Sequence, residues 1–176
     1  MKKVVFFVVA LLMAGAPHVF ADGRVDLGID VPMGFGVLMK ESTFDTDSSD
    51  YFREHIIPFP EAGMYFTSDA GPFTFGIGAR AFTFIIQSMV WPNAFAEVNL
   101  GPVVLQGQIG GGLFLMFGMY NAVETGTAFF PDLSAWFKLG ETFRLGGGVI
   151  GVYLDEMSET SLPVVFYLGA KAAIKL

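Results

Sequence analysis

From Val25 to Met39 every odd-numbered residue is apolar, and the even positions between them are mostly aspartate, glycine or proline. Alternation of period two marks an extended strand with one apolar face. Strands in soluble domains usually run about 5–6 residues. Alternation sustained this long calls for a surface that stays apolar along the whole strand.

The segment before it reads MKKVVFFVVALLMAGAPHVFADG. Lys2 and Lys3 form a basic start, Val4 to Gly15 an apolar run, and Val19-Phe20-Ala21 a cleavage pattern. This predicts a secretory signal peptide over 1–21, cut after Ala21, and a mature chain of one domain over 22–176. The apolar run is shorter than the roughly 20 residues a helical span needs.

Composition then excludes several classes. The chain is 53% hydrophobic and carries 22 glycines but only 15% charged residues, with a mean hydropathy of +0.56. No stretch after Ala21 reaches the roughly 18 consecutive apolar residues of a helical span. The best candidate, IGGGLFLMFGM, contains three adjacent glycines, which disfavour a helix. Cysteine is absent, so no disulfide framework exists. Setting Lys2 and Lys3 aside leaves 8 basic against 17 acidic residues, which argues against nucleic acid as a partner.

The opening pattern recurs as IIPFPEAGMYFTSDAGPFTFGIGARAFTFII, WPNAFAEVNLGPVVLQGQIGGGLFLMF, FFPDLSAWFKLGETFRLGGGVIGVYL and LPVVFYLGAKAAIKL. Tight-turn compositions, SDAGP, NLGP and LGET, divide the first three. The spacing predicts eight strands at about 24–39, 56–68, 72–86, 91–100, 102–117, 128–139, 142–154 and 162–176. Very short turns alternate with longer polar loops at 40–55, 118–127 and 155–161, with QSMV at 87–90 as a short connection. This is the pattern of an all-β fold, an eight-stranded antiparallel up-and-down transmembrane β-barrel, which leaves no backbone group unpaired in lipid.

A soluble lipocalin-like barrel would show the same alternation with its faces inverted. Two features favour the membrane form. The polar face is crowded with glycine, which suits a narrow interior. The apolar face carries Phe73, Phe129, Phe137, Phe143 and Tyr153 near strand ends, as an interfacial girdle requires. Pro60, Pro92, Pro131 and Pro163 recur near the loop-side starts of descending strands, where a missing ladder bond costs least. Pro163 alone falls on the inward parity, which a bulge near 163–165 would repair.

The chain resembles the small eight-stranded outer-membrane barrels of diderm bacteria, the OmpA-domain, OmpX-like and OmpW-like proteins. The last strand carries their insertion signal in Tyr167-x-Gly169, Ala172, Ile174 and Leu176, with Leu176 where the family usually has Phe. The resemblance implies the bacterial outer membrane, periplasmic termini, surrounding outer-membrane lipid and recognition of the last strand by insertion machinery. It implies neither cofactor nor metal.

Eight strands leave an interior just wide enough for side chains or one small ligand. The turn-side half is expected to hold five acids, Asp26, Asp30, Glu61, Glu97 and Asp132, and five bases, Arg80, Lys138, Arg144, Lys171 and Lys175. Such charges should pair into a plug, because an unpaired buried charge is costly. The loop-side half places Phe59, Phe82, Phe84, Ile86, Phe95, Phe114, Met116, Phe130, Val152 and Leu154 inward. They form either an apolar pocket for one small hydrophobic molecule or a packed upper core. OmpW-like proteins are thought to pass small apolar molecules laterally through such a pocket, and the resemblance makes that the leading expectation.

Two other classes compete. A structural or adhesive barrel would act through acidic loops such as 40–55, with Glu41, Asp45, Asp47, Asp50 and Glu54. A lipid-modifying enzyme would need His55 together with Ser48, Ser49 or Asp50 to activate a hydroxyl. The pattern DTDSSD lacks the glycine and closing glutamate of an EF-hand calcium loop, and no enzyme activity is expected.

Overall fold

The computed structural model describes residues 22–39, 43–45, 49–51, 54–84, 87–118, 124–154 and 161–176. The expected signal peptide, Ile86, and residues 46–48 of DTDSSD lie outside them. The strands are β1 (Asp22–Met39), β2 (Thr43–Asp45), β3 (Phe59–Ala70), β4 (Phe73–Phe84), β5 (Gln87–Leu100), β6 (Val103–Gly118), β7 (Glu124–Leu139), β8 (Phe143–Gly151), β9 (Tyr153–Leu154) and β10 (Ser161–Lys175). Successive long strands pair antiparallel, and β10 returns to β1 from Arg24↔Lys175 to Met39↔Ser161. β8 and β9 lie in line opposite β7, and β2 takes the place beside β1 above β3. The result is a closed eight-stranded up-and-down barrel.

Burial decides which way the alternation faces. Leu27, Ile29, Met64, Phe66, Ile109, Leu133 and Leu168 are exposed, while Arg24, Asp26, Asp30, Glu61, Arg80, Glu97 and Asp132 are buried. Apolar outside and charged inside is the inverse of a lipocalin and the arrangement of a membrane-spanning barrel. Phe73, Phe129, Phe137 and Phe143 lie exposed towards the barrel ends, where an interfacial girdle belongs.

Turn-side hairpins close on glycines in the left-handed region, Gly71 (φ 63°), Gly101 (φ 69°) and Gly140 (φ 79°), a conformation costly for other residues. On the loop side QSMV is not a connection. Gln87 to Val90 extend β5, paired with Phe84 to Ala81.

Two irregularities break the ladders. In β1 the pairing slips between Pro32 and Gly34. Residues directly opposite share a face, so Gly34 joins the exposed face of Phe166, and Phe35 the face of Val165. The unbroken odd face expected from Val25 to Met39 therefore holds only up to this bulge. The bulge expected at 163–165 is absent: β10 pairs with β8 in continuous register from Val164 to Ala172, and Pro163 faces Val37. The slip lies instead on the neighbouring strand, at Pro32. The second irregularity sets Trp91 and Pro92 of β5 against four residues of β6, Gly111 to Phe114. Pro92 has no N–H to offer, and Gly111 (φ 123°) and Gly112 (φ 86°) absorb the excess. The triple glycine that excludes a helix is thus a bulge.

The interior glycines have a specific task. Gly76 lies opposite Phe95, Gly126 opposite Phe114, Gly146 opposite Trp136 and Gly148 opposite Tyr167. A Cβ at Gly76 would lie 2.2 Å from the Phe95 ring, and one at Gly126 2.5 Å from the Phe114 ring. Gly76 and Gly126 vacate the space that a ring from the next strand fills, whereas Gly146 and Gly148 let neighbouring backbone approach closely. Gly76→Val is accordingly expected to destabilise the barrel by about 1–3 kcal/mol, the cost of overpacking, read as a lower temperature of the gel-shift between folded and unfolded bands. Gly107→Ala, whose added Cβ meets nothing nearer than 3.5 Å, should leave that temperature nearly unchanged.

Candidate functional site

The turn-side half of the interior is built from β1, β3–β8 and β10, whose inward parity brings their charged and polar side chains together. Arg24 is its hub on one side. Its Nε and one Nη bind Asp26 in a fork at 2.6 and 2.7 Å, and its two Nη atoms bind Glu97 at 2.8 and 2.9 Å. Arg144 adds a third donor to Glu97 at 2.7 Å. Bidentate guanidinium–carboxylate pairs are among the strongest polar contacts available, and here they tie β1 to β5 and β8.

Arg80 is the second hub. It binds Glu61 at 2.7 Å and Asp132 at 2.6 Å, with Asp30 farther off at 3.8 Å. Tyr167 donates its hydroxyl to the other Asp132 oxygen at 2.8 Å. Asn93 donates to Gln108 at 2.8 Å and to Tyr65 at 3.2 Å, and Trp136 donates to Ser134 at 2.8 Å. Lys171 reaches Gln106 and lies over the Trp136 ring at 4.1 Å.

Eight of the ten expected lumen charges lie in this buried set: Asp26, Asp30, Glu61, Arg80, Glu97, Asp132, Arg144 and Lys171. Lys138 and Lys175 stand apart at the turn-side mouth. Lys175 is exposed and pairs with Asp69 at 2.6 Å, and Lys138 approaches Asn99 at 3.5 Å. The strands end there, so neither lysine reaches the buried carboxylates of the network. On this rim, the Lys175 ammonium and then the Thr74 hydroxyl hold the Asp69 carboxyl below its ordinary range. That pair therefore stabilises the fold above the ordinary carboxylate range and loses its effect as pH falls through the depressed value. The mouth itself is a vestibule of about 650 Å³ lined by residues of the three turn-side hairpins and of the two terminal strands.

In the loop-side half Phe82, Trp91, Ala128 and Phe130 form a buried cluster, with Phe59, Met89, Phe114, Ile150 and Val152 packed against it. Phe82 stacks on Trp91 at 5.5 Å between ring centres, and Trp91 meets Phe130 at 4.6 Å. Met116 pairs opposite Met89. Phe95 does not join them. It lies lower, edge-on to Tyr65 at 4.9 Å and beneath the Arg24 guanidinium at 4.8 Å. Phe84 and Leu154 lie on strands, but their side chains, like Ile86, fall outside the described residues. Of the enzyme candidates, Ser48 lies outside them too, Ser49 accepts a hydrogen bond from the Phe35 N–H, and His55 stacks on Tyr51 at 4.5 Å.

Sequence reasoning missed Arg24, Trp91 and Trp136. Parity was the available signal: Arg24 is two residues from Asp26, Trp91 two from Asn93, and Trp136 two from both Ser134 and Lys138.

No family model matches the chain, and no curated protein matches it. Solved structures do. Neisserial surface protein A shares 9% identity at a TM-score of 0.48, covering 85% of this chain and 96% of that one. Ail, the attachment invasion locus protein of Yersinia pestis, shares 10% at 0.44, covering 89% and 100%. The N-terminal β-barrel domain of Pseudomonas aeruginosa OprF shares 10% at 0.46, covering 86% and 99%.

Glu97→Ala leaves two buried guanidinium groups without their shared carboxylate. It should cost about 3–5 kcal/mol, while Asp69→Ala, removing an exposed pair, should cost about 0–1 kcal/mol. Urea unfolding from lipid vesicles measures both.

Proposed function

We propose that this chain is a bacterial outer-membrane barrel with periplasmic termini, whose interior is a closed structural core and which acts through its loop face, as a structural or adhesive surface protein. The observation that carries the reading is the ring-on-ring contact of Phe82, Trp91 and Phe130 above the buried charge pairs. Apolar rings stacked over cross-linked charges oppose a continuous water path among the described residues. The last strand, from Tyr167 to Leu176, serves as the insertion signal.

A second reading, lateral passage of a small hydrophobic molecule, is favoured by the half-buried Phe59, Met89, Phe114, Ile150 and Val152 around the cluster. It requires the Phe82 and Phe130 rings to part. The two readings separate in one set of experiments. In planar bilayers the refolded chain should show no steady conductance, and Phe82→Ala should leave uptake of a small apolar dye by proteoliposomes unchanged. Exchange of loops 40–55 and 118–127 should change attachment to a surface ligand array. Dye uptake that depends on Phe82 would replace the first reading with the second.

A further inference from the structure

The vestibule at the turn-side mouth carries an electrostatic arrangement that the barrel's own pairing leaves incomplete. Lys138 of β7 stands directly opposite Arg144 of β8, and Arg144 stands directly opposite Lys171 of β10. Three cations thus lie in one row across three adjacent strands. Like charges directly opposite in a sheet are destabilising. Among the described residues one carboxylate, Glu97, lies within ion-pair distance of this row, through a single Nη of Arg144, and it is shared with Arg24. The Nε of Arg144 is buried with no acceptor, in a residue only 8% exposed. Lys138 has no carboxylate within ion-pair distance among the described residues, and its nearest partner is the Asn99 amide oxygen at 3.5 Å. The other acids at the mouth do not repair this. Asp69 is held by Lys175 and Thr74, and Glu141 lies on the exposed 140–142 turn.

An unspent ammonium and a guanidinium with an unused donor, side by side on the wall of a 650 Å³ recess, are the donor set that phosphate oxygens accept. Arg supplies directional N–H groups and Lys a mobile point charge. We propose that the turn-side vestibule binds a phosphate group through Lys138 and Arg144. The phosphate would enter from the side on which the tight turns, the start of β1 and the end of β10 lie. Its charge relieves the repulsion along the row, so binding also stabilises the barrel.

The test uses residues 22–176, the expected mature chain, refolded into phosphatidylcholine nanodiscs, with inorganic pyrophosphate as probe. The readouts are the arginine Nε–H resonances and the thermal unfolding midpoint. The expected result is a saturable shift of the Arg144 signal with a raised midpoint. Lys138→Met should weaken binding roughly tenfold, the loss of one charge-assisted contact. Lys138→Arg should restore it, and Glu141→Gln should tighten it. Lys138 is at the rim and half-buried, so its variants are expected to fold, checked by their gel shift. Repeating the titration with phosphatidylglycerol in the disc distinguishes sources: competition identifies a lipid headgroup, and no competition identifies a soluble phosphate. A shift that rises without saturating, or one equal in Lys138→Met, means an adventitious ion only and overturns the proposal.

Discussion

In hydrocarbon a backbone N–H or C=O has no water to turn to, so a sheet that crosses it must close on itself. The pairing of β10 with β1 meets that requirement, and most of the structure follows from it. Closure with eight strands fixes a narrow interior. A narrow interior must be filled by side chains that satisfy one another, because an unpaired polar group there costs as much as one left in lipid. The outer surface has the opposite freedom. Any apolar residue will do, which is why Leu27, Ile109 and Leu133 are exposed and touch no specific partner set.

Inside, two kinds of complementarity divide the space. Rings lie over glycines of the next strand, as Phe95 over Gly76 and Phe114 beside Gly126. Guanidinium groups fork between carboxylates of distant strands, as Arg24 and Arg80 do. The two meet in cation–π contacts: Arg80 lies 4.7 Å over Phe82, and Arg24 4.8 Å over Phe95. Through Phe82 the apolar cluster and the charge network are in direct contact.

Much of this was legible in the sequence because period two is a strong signal, and parity assigns every residue of a regular strand to a face. The eight strands, their tight turns and eight of the buried charges followed from it. What parity could not show was where the ladder slips. Pro32 and Pro92 remove donors, but a missing donor can be absorbed at the proline, across from it or by a glycine nearby, as at Gly111 and Gly112. Nor does parity give height along the barrel. Phe95 was grouped with the apolar residues because of its type, yet its neighbours are Arg24 and Tyr65. Lys138 and Lys175 were placed in the network by face alone, although their positions near the strand ends put them at the mouth.

The Arg24–Glu97 contact joins residues 73 positions apart, on β1 and β5, and Arg144 reaches the same carboxylate from β8. Arg24 has Asp26 on its own strand, but Glu97 and Arg144 have no ion-pair partner on an adjacent strand among the described residues. An open intermediate lying in the bilayer would show lipid the unpaired Glu97 carboxylate and Arg144 guanidinium. Entry into the membrane and curling of the sheet must therefore proceed together, so that the charges are already neutralised when the last seam zips. The carboxylate shared by Arg24 and Arg144 ties assembly to closure.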